Sequence, residues 1–327
     1  MPVTDDSLRR ALAPGGTLAA LPADFTALGR HYSGKVRDNF TRGDERLIVV
    51  SDRVSAFDVV LGTIPFKGQV LNGLARHWFD ATRDVFANHV IDVPDPQAMR
   101  GAECRPIPVE FVVRGYLTGV SDTSIGRAYE RGEREFCGHA LPDGMRRHQA
   151  LPQPLLTPTT KAPKGEHDVG VSRAWLLAHD RITAERFDAL ERAALALFAA
   201  GQRLARERGL ILVDTKYEFG ERPDGRLVLI DEIHTPDSSR YWYADSYADA
   251  MARGADPHSL DKEFLRRWLV EQGFRGEGAP PALPDELRAE AARRYIEVYE
   301  LITGRAFEPD VEPPLPRLRR NLGLPPA

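Results

Sequence analysis

Three charged residues at alternate positions in an otherwise apolar segment, Asp214, Lys216 and Glu218, carry the clearest chemistry in this sequence. They lie in LILVDTKYEFGERPDGRLVLIDE, Leu210 to Glu232. Two apolar runs joined by a turn built on Pro223, Asp224 and Gly225 read as a β-hairpin. Side chains alternate along a strand, so the three charges share one face, while Thr215, Tyr217 and Phe219 share the other. If the loop is Pro223 to Arg226, Glu218 lies opposite Asp231 with Cβ atoms roughly 5 Å apart. A one-residue slip would put Glu232 there instead. Two facing carboxylates among Leu, Ile and Val need strong compensation. Mg²⁺ supplies it through hard oxygen ligands, commonly carboxylates, phosphate oxygens and waters. The alternative is that Lys216 neutralises the carboxylates in a structural ion-pair network.

Downstream, Thr235 to Arg240 (TPDSSR) sets two hydroxyls, Ser238 and Ser239, beside Arg240 in a loop, a plausible phosphate cradle with bidentate donors. Near the N-terminus, YSGKVRDNF (Tyr32 to Phe40) offers Gly34 for close backbone approach and Lys35 for an anionic oxygen. It is not a Walker A loop, and no GxGxxG follows a strand. SDRVSAFD (Ser51 to Asp58) and VEFVVRGYLTG (Val109 to Gly119, with Arg114) follow or end strand-like runs, where α/β proteins place ligand groups. TPTTKAPKGEHD (Thr157 to Asp168) adds Lys161, Lys164 and a His between carboxylates. Only six of the 44 basic residues are lysine, at 35, 67, 161, 164, 216 and 262. A compact ammonium approaches phosphate or acyl groups where a planar guanidinium does not fit, so these six double as site candidates; the bland reading is six random survivors.

The elements that must position these residues are mixed. Thr183 to Gly209 reads as a helix with Phe187, Leu190, Ala194, Leu197, Phe198 and Leu204 at helical spacing, and further helices run from Ser259 to near Gly273 and from about Pro284 to Gly304. In the helix from Ser259, Phe264, Trp268 and Leu269 face inward. Leu47 to Ser51 and Val59 to Phe66 are strand signals in a first lobe. The prolines between Asp92 and Pro108 suggest an extended connection, Leu151 to Val171 a second irregular stretch, and the Pro-rich tail after Glu308 a surface or mobile segment. The resulting division is 1–108, 109–307 and 308–327. The length of 327 residues, 42% hydrophobic residues and net charge of -4 fit a globular chain and argue against coating nucleic acid or a membrane surface. No apolar run approaches the ~18 residues of a membrane span and no signal peptide is evident, so a soluble cytoplasmic protein is expected. Cys104 and Cys137 form no CxxC motif and read as ordinary thiols.

Seven blocks in order, SGKVRD, VSDRVSAFD, FVVRGYLTG, LTPTTK, GEHD, DTKYEFG and DEIHTPDSSRYW, resemble the SAICAR synthetase family from about Tyr32 to Phe307. The resemblance implies an α+β fold related to ATP-grasp, with a small N-terminal sheet lobe packed on a larger α/β lobe and the nucleotide cleft between them. It implies ligation of the carboxylate of 5-amino-1-(5-phosphoribosyl)imidazole-4-carboxylate (CAIR) to the amine of L-aspartate, through an acyl phosphate, with ATP and Mg²⁺. Carried over by motif, Gly34, Lys35, Arg37 and Glu110 would serve the nucleotide, and Glu218 with Asp231 would hold Mg²⁺. Arg114, Ser121, Ser238, Ser239, Arg240, Asp52 and Ser55 would bind substrate, while Lys216, Asp214, Asp237 and Lys161 would line the reacting centre. Where the family commonly has Ser after RGYLTG, this chain has Val120 followed by Ser121. Two other readings stand beside this one: another ATP-dependent carboxylate–amine ligase, and a non-catalytic nucleotide-binding protein. The sequence leaves the oligomeric state open.

Overall fold

The computed structural model describes residues 3–57, 59–119, 123–161, 168–260 and 263–326. They fall into two compact units. One comprises Met1–Trp78, His89–Glu103 and Asp261–Ala327, and the other Phe79–Asn88 and Cys104–Leu260.

The first unit is built on an antiparallel five-stranded sheet, in spatial order Arg30–Ser33, Arg37–Arg42, Glu45–Val50, Ala98–Ala102 and Val90–Asp95. The apolar run at Leu47 becomes the middle strand because Ile48, Val49 and Val50 are buried. Asp92 to Pro108 is not the expected extended connection: most of it is the hairpin Val90–Asp95 and Ala98–Ala102. Its turn closes where Asp95 Oδ1 accepts from Gln97 N at 2.8 Å. Pro94 is tolerated because it lies on the sheet's edge strand, where a missing N–H breaks no ladder.

The helices Glu263–Glu271 and Asp285–Thr303 cluster with this unit rather than with the segment 109–260. The second helix follows Pro284 and ends on Gly304 at φ 66. Leu269 is fully buried, as its spacing predicts; the Phe264 side chain lies outside the described ones. The tail needs a larger correction. After Glu308 the chain forms the helix Pro314–Asn321, and Leu318 joins Leu18, Phe25, Phe40, Val49 and Ala98 in one core cluster. Arg317 is completely buried, donating to Asp95 Oδ2 at 3.0 Å and Gln97 Oε1 at 2.6 Å. The tail is therefore part of the first unit's interior, and the contacts do not follow the expected boundary at 307.

The second unit holds a seven-stranded sheet whose main path runs Ala150–Leu156, Val109–Tyr116, Leu210–Glu221, Leu227–Ile230. Thr159–Thr160 also pairs with Val109–Tyr116, while Arg105–Pro106 and Ser239–Tyr243 pair with Leu210–Glu221. Among the described residues of the segment expected to be irregular from Leu151 to Val171, Ala150–Leu156 and Thr159–Thr160 are instead strands. Pro152 and Pro154 disguise the first, and again they sit on the end strand of the path. The helix Ala184–Glu207 packs Phe187, Leu190, Ala194, Leu197 and Phe198 inward, with Thr183 Oγ1 capping Arg186 N at 3.4 Å. Among the described residues, no helix is long and apolar enough to cross a membrane.

Candidate active site

Sheet register assembles the charged face. On one side of the Leu210–Glu221 strand, Arg114 pairs with Asp214; on the other, Arg240 pairs with the same Asp214. Arg240 Nη1 lies 2.9 Å from Asp214 Oδ2, and Arg114 Nη1 lies 3.9 Å from it. Arg114 Nε donates to Thr157 Oγ1 at 2.9 Å. Burial pushes the Arg114 pKa down, Asp214 opposes this and Arg240 adds to it. Two guanidiniums around one carboxylate leave local positive charge, which suits an anionic ligand.

Further along the same face, Lys216 Nζ donates to Glu110 Oε1 at 2.7 Å and to Glu218 Oε1 at 3.0 Å. Lys161 pairs with the other oxygen of Glu218. Thr159 Oγ1 donates to Glu110 Oε2 at 3.3 Å. The alternation holds: Thr215, Tyr217 and Phe219 are buried on the opposite face. Burial alone would favour a neutral Lys216, but Glu218, Glu110 and Asp231 outweigh it and hold the ammonium charged far above its ordinary range. Burial likewise raises Glu218, yet Lys216 and Lys161 win and bring its pKa down to about 2. Glu110 goes the other way: burial raises it, and Lys216 only partly offsets that.

The expected facing of Glu218 and Asp231 is not the observed register. Glu218 pairs with Ile230 and Glu221 with Leu227, so the loop spans Arg222 to Arg226 and is closed by Arg222 N donating to Arg226 O at 2.9 Å. The loop is one residue longer than expected, and every cross-strand partner shifts accordingly. Asp231 falls just past the strand at φ 70, half-buried, close enough for its charge to act on Lys216. The group between Glu110 and Glu218 is therefore Lys216, which matches the ion-pair alternative. A carboxylate pair around that ammonium still offers the hard oxygen donors that Mg²⁺ takes, so Glu218 and Asp231 fit as ligands by donor type. No cluster of three or more potential metal ligands occurs among the described residues.

Thr235 to Ser238 form the loop that leads into the Ser239–Tyr243 strand, so Ser239 and Arg240 are strand residues rather than part of the expected loop. Lys216 N donates to Ser238 O at 3.1 Å, Ser238 N and Ser239 N both donate to Thr235 O, and Ser239 Oγ shares a 2.7 Å bond with Thr215 Oγ1. Asp237 is half-buried in it. Arg240 points at Asp214 rather than standing open as a cradle.

Gly34, Lys35, Arg37, Asp52 and Ser55 belong to the first unit. Gly34 and Lys35 form the turn between Arg30–Ser33 and Arg37–Arg42, with Gly34 N donating to Arg37 O at 2.8 Å and the Lys35 side chain exposed. Their carbonyls accept from Arg53. Ser55 is half-buried in the Arg53–Ala56 strand. Asp52 requires correction as a substrate ligand: it is 2% exposed. Its carboxylate accepts from Leu18 N at 2.7 Å, Gly68 N at 2.8 Å and Gln97 Nε2 at 3.2 Å. Its pKa is raised by burial, and its work is to anchor the start of the helix Lys67–Thr82. Ser121 lies outside the described residues, as do Val120, Lys164, Glu166 and His167.

Two neighbours escaped the sequence reading. Thr157, in LTPTTK, holds Arg114, a role hidden while that block was read for its lysines. Phe136 places its ring 5.9 Å from the Arg114 guanidinium, and nothing in its local sequence signals that contact.

Fold and charged face together define an α+β enzyme suited to anionic substrates. A family model described as SAICAR synthetase matches residues 30–281. A phosphoribosylaminoimidazole-succinocarboxamide synthase of Legionella pneumophila is 47% identical over 287 residues, covering 87% of this chain and 91% of that one. One from Cytophaga hutchinsonii is 47% identical over 295 residues, 89% and 93%. The solved SAICAR synthase of Saccharomyces cerevisiae, complexed with SAICAR, superposes with a TM-score of 0.77 at 27% identity, over 90% of this chain and 100% of that one. The chain belongs to the SAICAR synthetase family and has that family's α+β fold.

Proposed function

We propose that this chain, an ATP-dependent ligase of purine biosynthesis by its family, joins the CAIR carboxylate to the amine of L-aspartate with conversion of ATP to ADP and phosphate. The single observation that carries the residue assignment is the row Arg114–Asp214–Arg240, set by register beside Lys216. A carboxylate is a poor electrophile, and phosphorylating it gives the aspartate nitrogen a leaving group to displace. Phosphoryl transfer asks the protein mainly for positioning and for cations around the moving charge.

In this reading Arg114 and Arg240 grip the anionic CAIR, with Asp214 holding both guanidiniums in place. Ser238 presents its loop hydroxyl to the same substrate, whereas Ser239, expected to do likewise, is buried with its hydroxyl on Thr215 of the opposite face. Lys216, kept fully charged by its three carboxylate neighbours, stabilises negative charge at the reacting centre. Lys161 and Asp237 line that centre. The motif match assigns ATP-phosphate contacts to Gly34, Lys35 and Arg37 and a nucleotide contact to Glu110. Glu218 and Asp231 would hold Mg²⁺, which when bound neutralises phosphate charge. Incubation with CAIR, ATP, Mg²⁺ and L-aspartate should give aspartate-dependent ADP release and SAICAR. Absence of that dependence overturns the proposal.

A further inference from the structure

We infer that His148 is a positioning residue for CAIR binding: its imidazole links the Thr118 hydroxyl to Asp256 and so fixes the turn that follows the strand carrying Arg114. The inference rests on the reaction proposed above. Thr118 Oγ1 lies 2.9 Å from Nδ1, and Asp256 Oδ1 lies 2.8 Å from Nε2. A carboxylate can only accept, so Nε2 carries the hydrogen and Nδ1 is left to accept from the Thr118 hydroxyl. The hydroxyl rotor is thereby fixed, and its lone pairs are turned away from the imidazole.

The backbone around this link is over-determined. His148 sits at φ 64, a region a non-glycine residue rarely occupies, and such positions persist only where the surroundings enforce them. His148 N donates to Leu117 O at 2.7 Å, Leu117 N donates to Gln149 O at 2.8 Å, and Tyr247 Oη donates to His148 O at 2.9 Å. Gly126 N donates to Thr118 O at 3.1 Å. At Gly119 a Cβ would lie 2.4 Å from Ser124 Cβ, so the turn admits only glycine. The charged groups acting on His148 are Asp256, Arg147 and Arg240, the last being the CAIR candidate itself. Trp242, on the Arg240 strand, packs edge-on to the imidazole at 5.4 Å. A buried imidazole held between an exposed carboxylate and a buried hydroxyl is more polar machinery than packing requires, and it joins the end of the Arg114 strand to the Arg240 strand.

The test measures steady-state constants for Thr118→Val, Thr118→Ser, His148→Asn and Asp256→Asn. Asn suits the φ of position 148, and Asp256 is 71% exposed in its side chain, so these two changes leave the backbone in place. Thr118→Val and His148→Asn should each raise KM for CAIR about tenfold, as loss of one buried hydrogen bond implies, and the double variant should be no worse than either. Asp256→Asn should move the same constant in the same direction, Thr118→Ser should stay near wild type, and kcat and the KM values for ATP and aspartate should hold. An unchanged KM for CAIR, additive losses, or a parallel change in every constant overturns the inference. If the unmodified chain releases no ADP in response to aspartate, the proposed reaction itself fails, a different outcome from an active wild type with unaffected variants.

Discussion

Lys216 Nζ lies 3.0 Å from Glu218 Oε1, two residues along one strand and on one face of it. The pair is three-cornered, because Glu110 accepts from the same ammonium at 2.7 Å. Breaking such a buried group from one side costs more than the pair contributes, since the remaining charge loses its partner. Glu218→Gln and Asp231→Asn should each lower kcat at least 100-fold while circular dichroism keeps the native spectrum. Wild-type turnover in either variant at low Mg²⁺ counts against their proposed metal role.

The same pair makes stability depend on pH. Glu218 has a folded pKa of about 2, below the ordinary glutamate value of about 4.3. Its contribution is complete above the unfolded value and is lost as pH falls from there toward the folded one. Wild type should exceed Glu218→Gln by about 2 to 3 kcal/mol at pH 7, and the gap should shrink between pH 5 and pH 3. Urea titrations of both proteins across that range measure it; a gap independent of pH refutes the ion-pair account.

Arg240 and Arg114 share Asp214, so removing one leaves the other still tethered. Arg240→Ala should weaken CAIR binding about 10- to 100-fold, the scale of a charge-assisted hydrogen bond, and change ATP affinity little. Unchanged CAIR affinity in a binding titration removes Arg240 from the substrate site.

What could be read from sequence was the strand chemistry. Asp214, Lys216 and Glu218 declare a shared face by alternation alone, and the helix Ala184–Glu207 by its apolar spacing and Thr183 cap. Pairing register is another matter. It depends on how Arg222 to Arg226 closes, a choice of loop geometry that turn residues did not fix, and one residue of error moved Asp231 off Glu218. Proline misled in a consistent way, because Pro94, Pro152 and Pro154 occupy end strands, where no ladder bond is lost. Asp52 lay in a block rich in polar residues, and only the fold reveals that its carboxylate is spent on Leu18 N and Gly68 N.

The tail shows the opposite error, a segment dismissed because it has few apolar residues. Arg317 and Asp95 are both fully buried, 3.0 Å apart, and Gln97 and Asn321 complete the network at 2.6 Å from Arg317 and 2.8 Å from Asp95. Gln97 also reaches Asp52 at 3.2 Å, so the network extends to the start of the helix Lys67–Thr82. Arg317→Ala leaves an uncompensated carboxylate at Asp95 and a cavity beside Leu318, which should cost about 3 to 5 kcal/mol. Arg317→Met keeps the volume but not the charge and should be destabilised too; restoring stability would require Asp95→Leu in the same chain, because an apolar pair of similar size replaces a buried ion pair at little cost. Truncation after Glu308 should likewise lower the melting temperature sharply rather than be neutral. A truncated chain that melts with the full-length protein would mean that neither the Arg317 network nor the Leu318 contact stabilises the first unit.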